Sequence, residues 1–157
     1  MIYFMIKPLL FAASLLTLSG AALTAHADPL LGTWNAVDNR TGFHVADMVI
    51  RKDPKTKVYS ATVSRLLPLP GGTATVNTHC VKCQGEYKDT PVIGMEALQG
   101  LTMAEPSELV NGTWISPTDG RHYQMTGSVN NSNTFISLKG RTEGSTLTMT
   151  WRKKQSS

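Results

Sequence analysis

The sequence predicts an all-β domain of about eight antiparallel strands, arranged as an up-and-down barrel or a sandwich. Three observations lead there. Apolar and polar residues alternate over many short runs, which marks strands with one buried and one wet face. Turn-forming residues recur at short intervals between those runs. Helix signals are scarce, while Gly, Thr, Ser and Asn are frequent.

The elements follow in order. A first strand over 31–38 ends at the turn formers Asn39 to Gly42, and a second over 43–52 ends at Asp53 to Thr56. A third over 58–67 carries Tyr59, Ala61 and Val63 in alternation with Ser60, Thr62 and Ser64. A long irregular loop, 68–91, comes next and holds both cysteines. Strands over 92–103 and 109–116 precede the Thr118 to Gly120 turn. A strand over 121–129 leads to Asn130 to Ser132, and one over 134–142 leads to Glu143 and Gly144. The last, 145–153, shows the clearest period of two, with Leu147, Met149 and Trp151 set between threonines. Leu31 to Trp34 and Asn111 to Trp114 echo each other as strand openings that lead into hairpins; duplication is one account, but convergence on a strand-turn-strand pattern fits better because the rest of the two segments does not match.

Residues 1–27 read as a secretory signal peptide. Lys7 is their only charge, an apolar run covers 9–16, and Ala25-His26-Ala27 offers a cleavage site. The run is shorter than the roughly 20 residues a bilayer span needs. Cleavage after Ala27 exposes Asp28 rather than Cys, which argues against a lipid anchor. The mature domain is then 28–157, periplasmic or secreted, with no integral membrane segment. That length suits one core.

The net charge is +4, or +3 without Lys7. The basic residues are scattered apart from Arg152, Lys153 and Lys154, so a nucleic-acid surface is not expected.

Cys80 and Cys83 form a C-x-x-C pair with three readings. Outside the cytoplasm two cysteines generally join as a disulfide, and Gly71, Gly72 and Gly85 permit the turns around such a staple. A redox pair needs a helix N-terminus to lower the thiol pKa, but Gln84-Gly85 follows directly and Pro91 stops any helix. A structural zinc site needs four ligands, and only His79 lies near. The staple fits best; the other two readings stay open.

The order of short motifs resembles a known family. Cys80-x-x-Cys83-x-Gly85-x-x-Lys88-x-x-Pro91-x-x-Gly94-Met95, the opening Leu31-Gly32-Thr33-Trp34, and Pro117-x-Asp119-Gly120-Arg121-x-Tyr123 resemble bacterial exported proteins of domain-of-unknown-function 2147. The resemblance implies a single eight-stranded antiparallel lipocalin-like up-and-down barrel with one long disulfide-stapled loop. It also implies a cation on the last strand packed on the Trp of the first, here Arg152 on Trp34.

Catalytic signatures are absent from the sequence. His44, His79 and His122 stand in no metal-binding spacing, and no G-x-S-x-G elbow or phosphate-binding loop occurs. Glu86, Asp89 and Glu96 are near in sequence only, and Glu96 is expected to be solvated. No catalytic residue, metal or cofactor is expected. The candidate site is the barrel interior, lined by Met95, Trp114, Tyr123, Met125, Phe135, Met149 and Trp151. Apolar, Met-rich interiors suit small hydrophobic ligands, although the same residues would also make an ordinary filled core. The expected function is non-enzymatic binding or carriage of a small apolar or amphipathic ligand. The alternative is an envelope protein-binding module or inhibitor acting through loop 68–91. An enzyme, in its simplest form a thiol oxidoreductase using Cys80 and Cys83, ranks below both.

Overall fold

The computed structural model describes residues 26–71 and 77–155. The signal-peptide expectation therefore lies almost wholly outside the described residues, as does the 72–76 stretch of the long loop.

Eight antiparallel strands close into one barrel in chain order. They are β1 (Gly32–Val37), β2 (His44–Lys52), β3 (Tyr59–Leu66), β4 (Glu96–Glu105), β5 (Glu108–Ile115), β6 (His122–Val129), β7 (Phe135–Thr142) and β8 (Ser145–Lys153). Each pairs with the next, and β8 returns to β1 with Trp34 opposite Lys153 and Ala36 opposite Trp151. Closure leaves no open sheet edge along the seam.

The alternation read from the sequence becomes the wall of this barrel. In β7, Ile136, Leu138 and Gly140 are buried while Phe135, Ser137 and Lys139 are exposed. Asp38 and Asp53 shape the first two turns, where Asp53 Oδ1 accepts hydrogen bonds from the Lys55 and Thr56 amides at 2.8 Å each. The fourth strand starts at Glu96 rather than at residue 92. Val92 to Met95 belongs to the loop instead: the Val92 amide donates to Thr78 O at 2.9 Å and the Gly94 amide to Val63 O at 2.7 Å.

One end of the barrel is shut by the segment before β1. Leu30 is buried in the core, which contributes roughly 1.5–3 kcal/mol. Trp34 Nε1 donates to Leu30 O at 2.9 Å. Asp28 accepts from Lys52 Nζ at 2.9 Å and from the Tyr59 hydroxyl at 2.6 Å. Burial pushes the Asp28 carboxyl up, but the hydrogen bonds from Tyr59 and Lys52 outweigh it and hold the group below its ordinary value.

The cation that packs on Trp34 is Lys153, not Arg152. Lys153 Nζ lies 4.7 Å from the Trp34 ring centre and donates to the carbonyls of Pro29, at 3.0 Å, and Leu31. The reason is strand parity: Trp151 and Lys153 face in, so Arg152 must face out. Its guanidinium lies over the exposed Phe135 ring at 5.6 Å.

Candidate functional site

Among the described residues no side chain fills the opposite end of the barrel. A cavity of about 450 Å³ opens there, lined by Ala36 and Val37 of β1, Ala46 and Met48 of β2, Val63 and Leu66 of β3, and Met149 and Trp151 of β8. Trp114 of β5 completes the far wall, and Leu67, Pro68 and Leu69 form an apolar rim. Trp114 and Trp151 meet edge to face, with ring centres 6.4 Å apart. Small residues make the space: Ala36 and Ala46 stand where larger side chains would fill it.

Among the described residues no charged side chain lines this cavity, and the polar ones are Asn77 and Thr118 near the mouth. An ionised group placed deep inside would lose its hydration with nothing to replace it. The volume falls within the 300–1,000 Å³ range of small-molecule sites.

Of the seven residues expected to line the interior, Trp114, Met149 and Trp151 do so. Tyr123 and Met125 are buried in the filled part of the core. There Met125 packs into the space left by Gly140, where an added Cβ would lie 2.6 Å from its Sδ. Phe135 is 43% exposed on the outer wall, because Ile136 and Leu138 take the inward positions. Met95 is buried elsewhere, beside Cys80, Cys83 and Ile115.

That second cluster supports the cavity's rim from outside. Cys80 and Cys83 form a disulfide and are buried at 0% and 1% exposure. Trp114 faces in, so Ile115 faces out, and the cross-linked loop covers it. The β5–β6 turn meets the loop backbone to backbone. Gly120 adopts φ +74°, and a Cβ there would lie 2.0 Å from Lys82 O. Asp119 holds the turn: its Oδ1 accepts from the Arg121 amide at 2.9 Å and its Oδ2 from the Tyr123 hydroxyl at 2.6 Å. Burial raises the Asp119 carboxyl, while the bonds from Tyr123 and Arg121 hold it below its ordinary value. The two longest sequence motifs thus meet in space, and Pro117 and Thr118 carry their contact to the cavity.

Of the remaining candidates only Glu86 and Glu96 come together, on the wall of an open surface pocket with Tyr87, Thr90 and Ile93. His44 Nε2 lies 2.6 Å from Asp47 Oδ1 on the barrel wall, while His79, His122 and Asp89 line neither that pocket nor the barrel cavity. Among the described residues no group of three or more His, Cys, Asp or Glu side chains is placed to hold a metal ion, and no helix is long and apolar enough to cross a membrane. The residues that sequence reading missed are the small and aliphatic ones, Ala36, Ala46 and Leu66 to Leu69. Their one signal was the apolar run Leu66-Leu67-Pro68-Leu69, which breaks the alternation as β3 ends.

The barrel resembles the Helicobacter pylori protein HP1028, described as belonging to the lipocalin family. The TM-score is 0.62 at 12% identity, over 80% of this chain and 83% of that one. No curated protein matches the sequence. The model of one family matches residues 32–153, which span all eight strands, the disulfide loop and the Asp119-Gly120 turn. The chain belongs to that family, described as "uncharacterized protein conserved in bacteria (DUF2147)".

Proposed function

We propose that this protein binds and carries a small, uncharged or amphipathic ligand, held in the open end of its barrel and without chemical conversion. The observation that carries the reading is the apolar cavity of about 450 Å³ at one end of a barrel that is packed at the other. Its walls favour a compact apolar body with ring or branched character, set against the Trp114 and Trp151 pair. A polar end group would sit at the mouth, within reach of Asn77 and Thr118. The buried disulfide supports a staple rather than a redox pair, since a thiolate cannot attack sulfurs that it cannot reach. A barrel cross-linked in this way suits an exported protein, which is where the signal-like 1–27 stretch would send it.

The test is organic extraction of protein purified from its native compartment, followed by mass spectrometry, alongside an Ala46→Phe variant that fills the cavity. We expect a stoichiometric apolar compound from the wild type and none from the variant. Rebinding should also shift tryptophan emission, because two of the three indoles line the cavity. Recovery of no ligand, together with unchanged emission over a panel of apolar probes, would overturn the proposal.

A second reading draws on the stapled loop. Val81 and Ile93 are 60% and 55% exposed beside it, an apolar presentation that suits a protein partner. A Val81→Ser, Ile93→Ser variant that retains every partner captured by the wild type would rule this reading out.

A further inference from the structure

We propose that the outer face of β6, β7 and β8 is a docking surface for an anionic polysaccharide, independent of the cavity. Strand register sets the pattern. Lys139 lies directly between Thr126 and Thr148, and Arg141 directly between Gln124 and Thr146. All six side chains are exposed. Each cation is therefore flanked in its own row by two neutral hydrogen-bonding groups, and the two rows are roughly 7 Å apart along the strands. Two rows further on, Arg152 lies over the exposed Phe135 ring.

The charge on this face is unbalanced. No carboxylate occupies an outward position on the three strands. Among the described residues Lys139, Arg141 and Arg152 form no ion pair, whereas Lys52, Arg65 and Lys154 are each matched to an aspartate. A closed barrel needs no such cations for its fold. Their collection on one hydroxyl-bearing face attracts a polyanion.

The neutral partners decide which polyanion. Threonine hydroxyls and the Gln124 amide both donate and accept hydrogen bonds, as the hydroxyls of a sugar chain do. Single-stranded nucleic acid needs aromatic platforms for successive bases, and the two outward rings of this face, His122 and Phe135, stand at its opposite ends with none between them. A bilayer surface needs apolar side chains to insert, and the Lys139 and Arg141 rows carry none.

The experiment compares dextran sulfate with uncharged dextran, binding to the full mature protein by calorimetry. Dextran sulfate should bind and dextran should not. A Lys139→Gln, Arg141→Gln variant should bind dextran sulfate roughly tenfold more weakly. A Lys55→Gln, Lys57→Gln variant loses the same charge from the exposed β2–β3 turn and should stay within about twofold of wild type. Thr148→Val should weaken binding roughly threefold through its lost hydroxyl. Equal losses in the two double variants, or no binding of dextran sulfate, would overturn the proposal. So would tighter binding to a DNA oligonucleotide of equal charge or to anionic vesicles.

Discussion

Replacing Gly120 by Ala should destabilise the protein far more than the same change at Gly144. Both glycines adopt left-handed backbone, with φ +74° and +70°. Both substitutions therefore incur a conformational cost of about 1 kcal/mol. They differ in surroundings. At Gly144 nothing lies within 4 Å of the added carbon; at Gly120 it would lie 2.0 Å from Lys82 O, 2.3 Å from Lys82 C and 2.8 Å from Cys83 N. These are backbone atoms of a cross-linked loop, so no rotamer change relieves the collision. The loop must retreat by roughly 1 Å or more to restore ordinary contact, which loosens the packing of Cys80, Cys83 and Ile115. Overpacking of this kind costs about 1–3 kcal/mol more. The expected totals are about 3 kcal/mol at Gly120 and about 1 kcal/mol at Gly144, a difference in Tm of roughly 6–10 °C for a domain of this size. Thermal denaturation of the oxidised proteins, followed by circular dichroism, measures it. Equal Tm values for the two variants would refute the claim that the β5–β6 turn and the stapled loop are packed as one unit.

Further expectations concern the staple and the shut end. Cys80→Ser with Cys83→Ser should lower stability by about 2 kcal/mol and leave the barrel's far-ultraviolet spectrum intact, as urea titration would show. Lys153→Met should cost about 1–2 kcal/mol through the lost cation–indole contact and carbonyl bonds, whereas Arg152→Met should be nearly neutral in the same titration. Acid should weaken the fold in a defined window. A depressed folded-state pKa gives Asp28 and Asp119 a stabilising role above the unfolded carboxylate value of about 4, and that role fades as pH falls through their lower folded values. The urea midpoint should thus drop on acidification below about pH 4, with a shallower decline and a lower neutral-pH value in Asp28→Asn.

The strands were legible because their signal is local. Ile136, Ser137, Leu138 and Lys139 declare their faces by alternation alone, and the turns declare themselves by Asn, Asp and Gly. Strand parity puts Phe135 and Arg152 outside and Lys153 beside Trp34, whereas residue type alone points an aromatic inward and offers either cation to the indole, which is why the expectations for Phe135 and Arg152 were not met. The cavity was harder to read. Volume depends on what is missing between distant strands, and Ala36 and Ala46 reveal nothing by themselves about the space they leave. Met95 misled for a related reason. It closes a loop rather than opening a strand, and only the fold brings it to Cys80 and Ile115.

The β1–β8 seam pairs residues from opposite ends of the domain, such as Trp34 with Lys153, while every other strand pair is a sequence neighbour. Chain order thus governs when the cylinder can be completed. Seven strands can zip progressively from local hairpins, but the final stave, β8, must still meet β1. Until it arrives, two raw sheet margins face solvent and invite self-association. The rate at which β8 docks on β1 therefore sets how long the aggregation-prone, open form of the sheet persists.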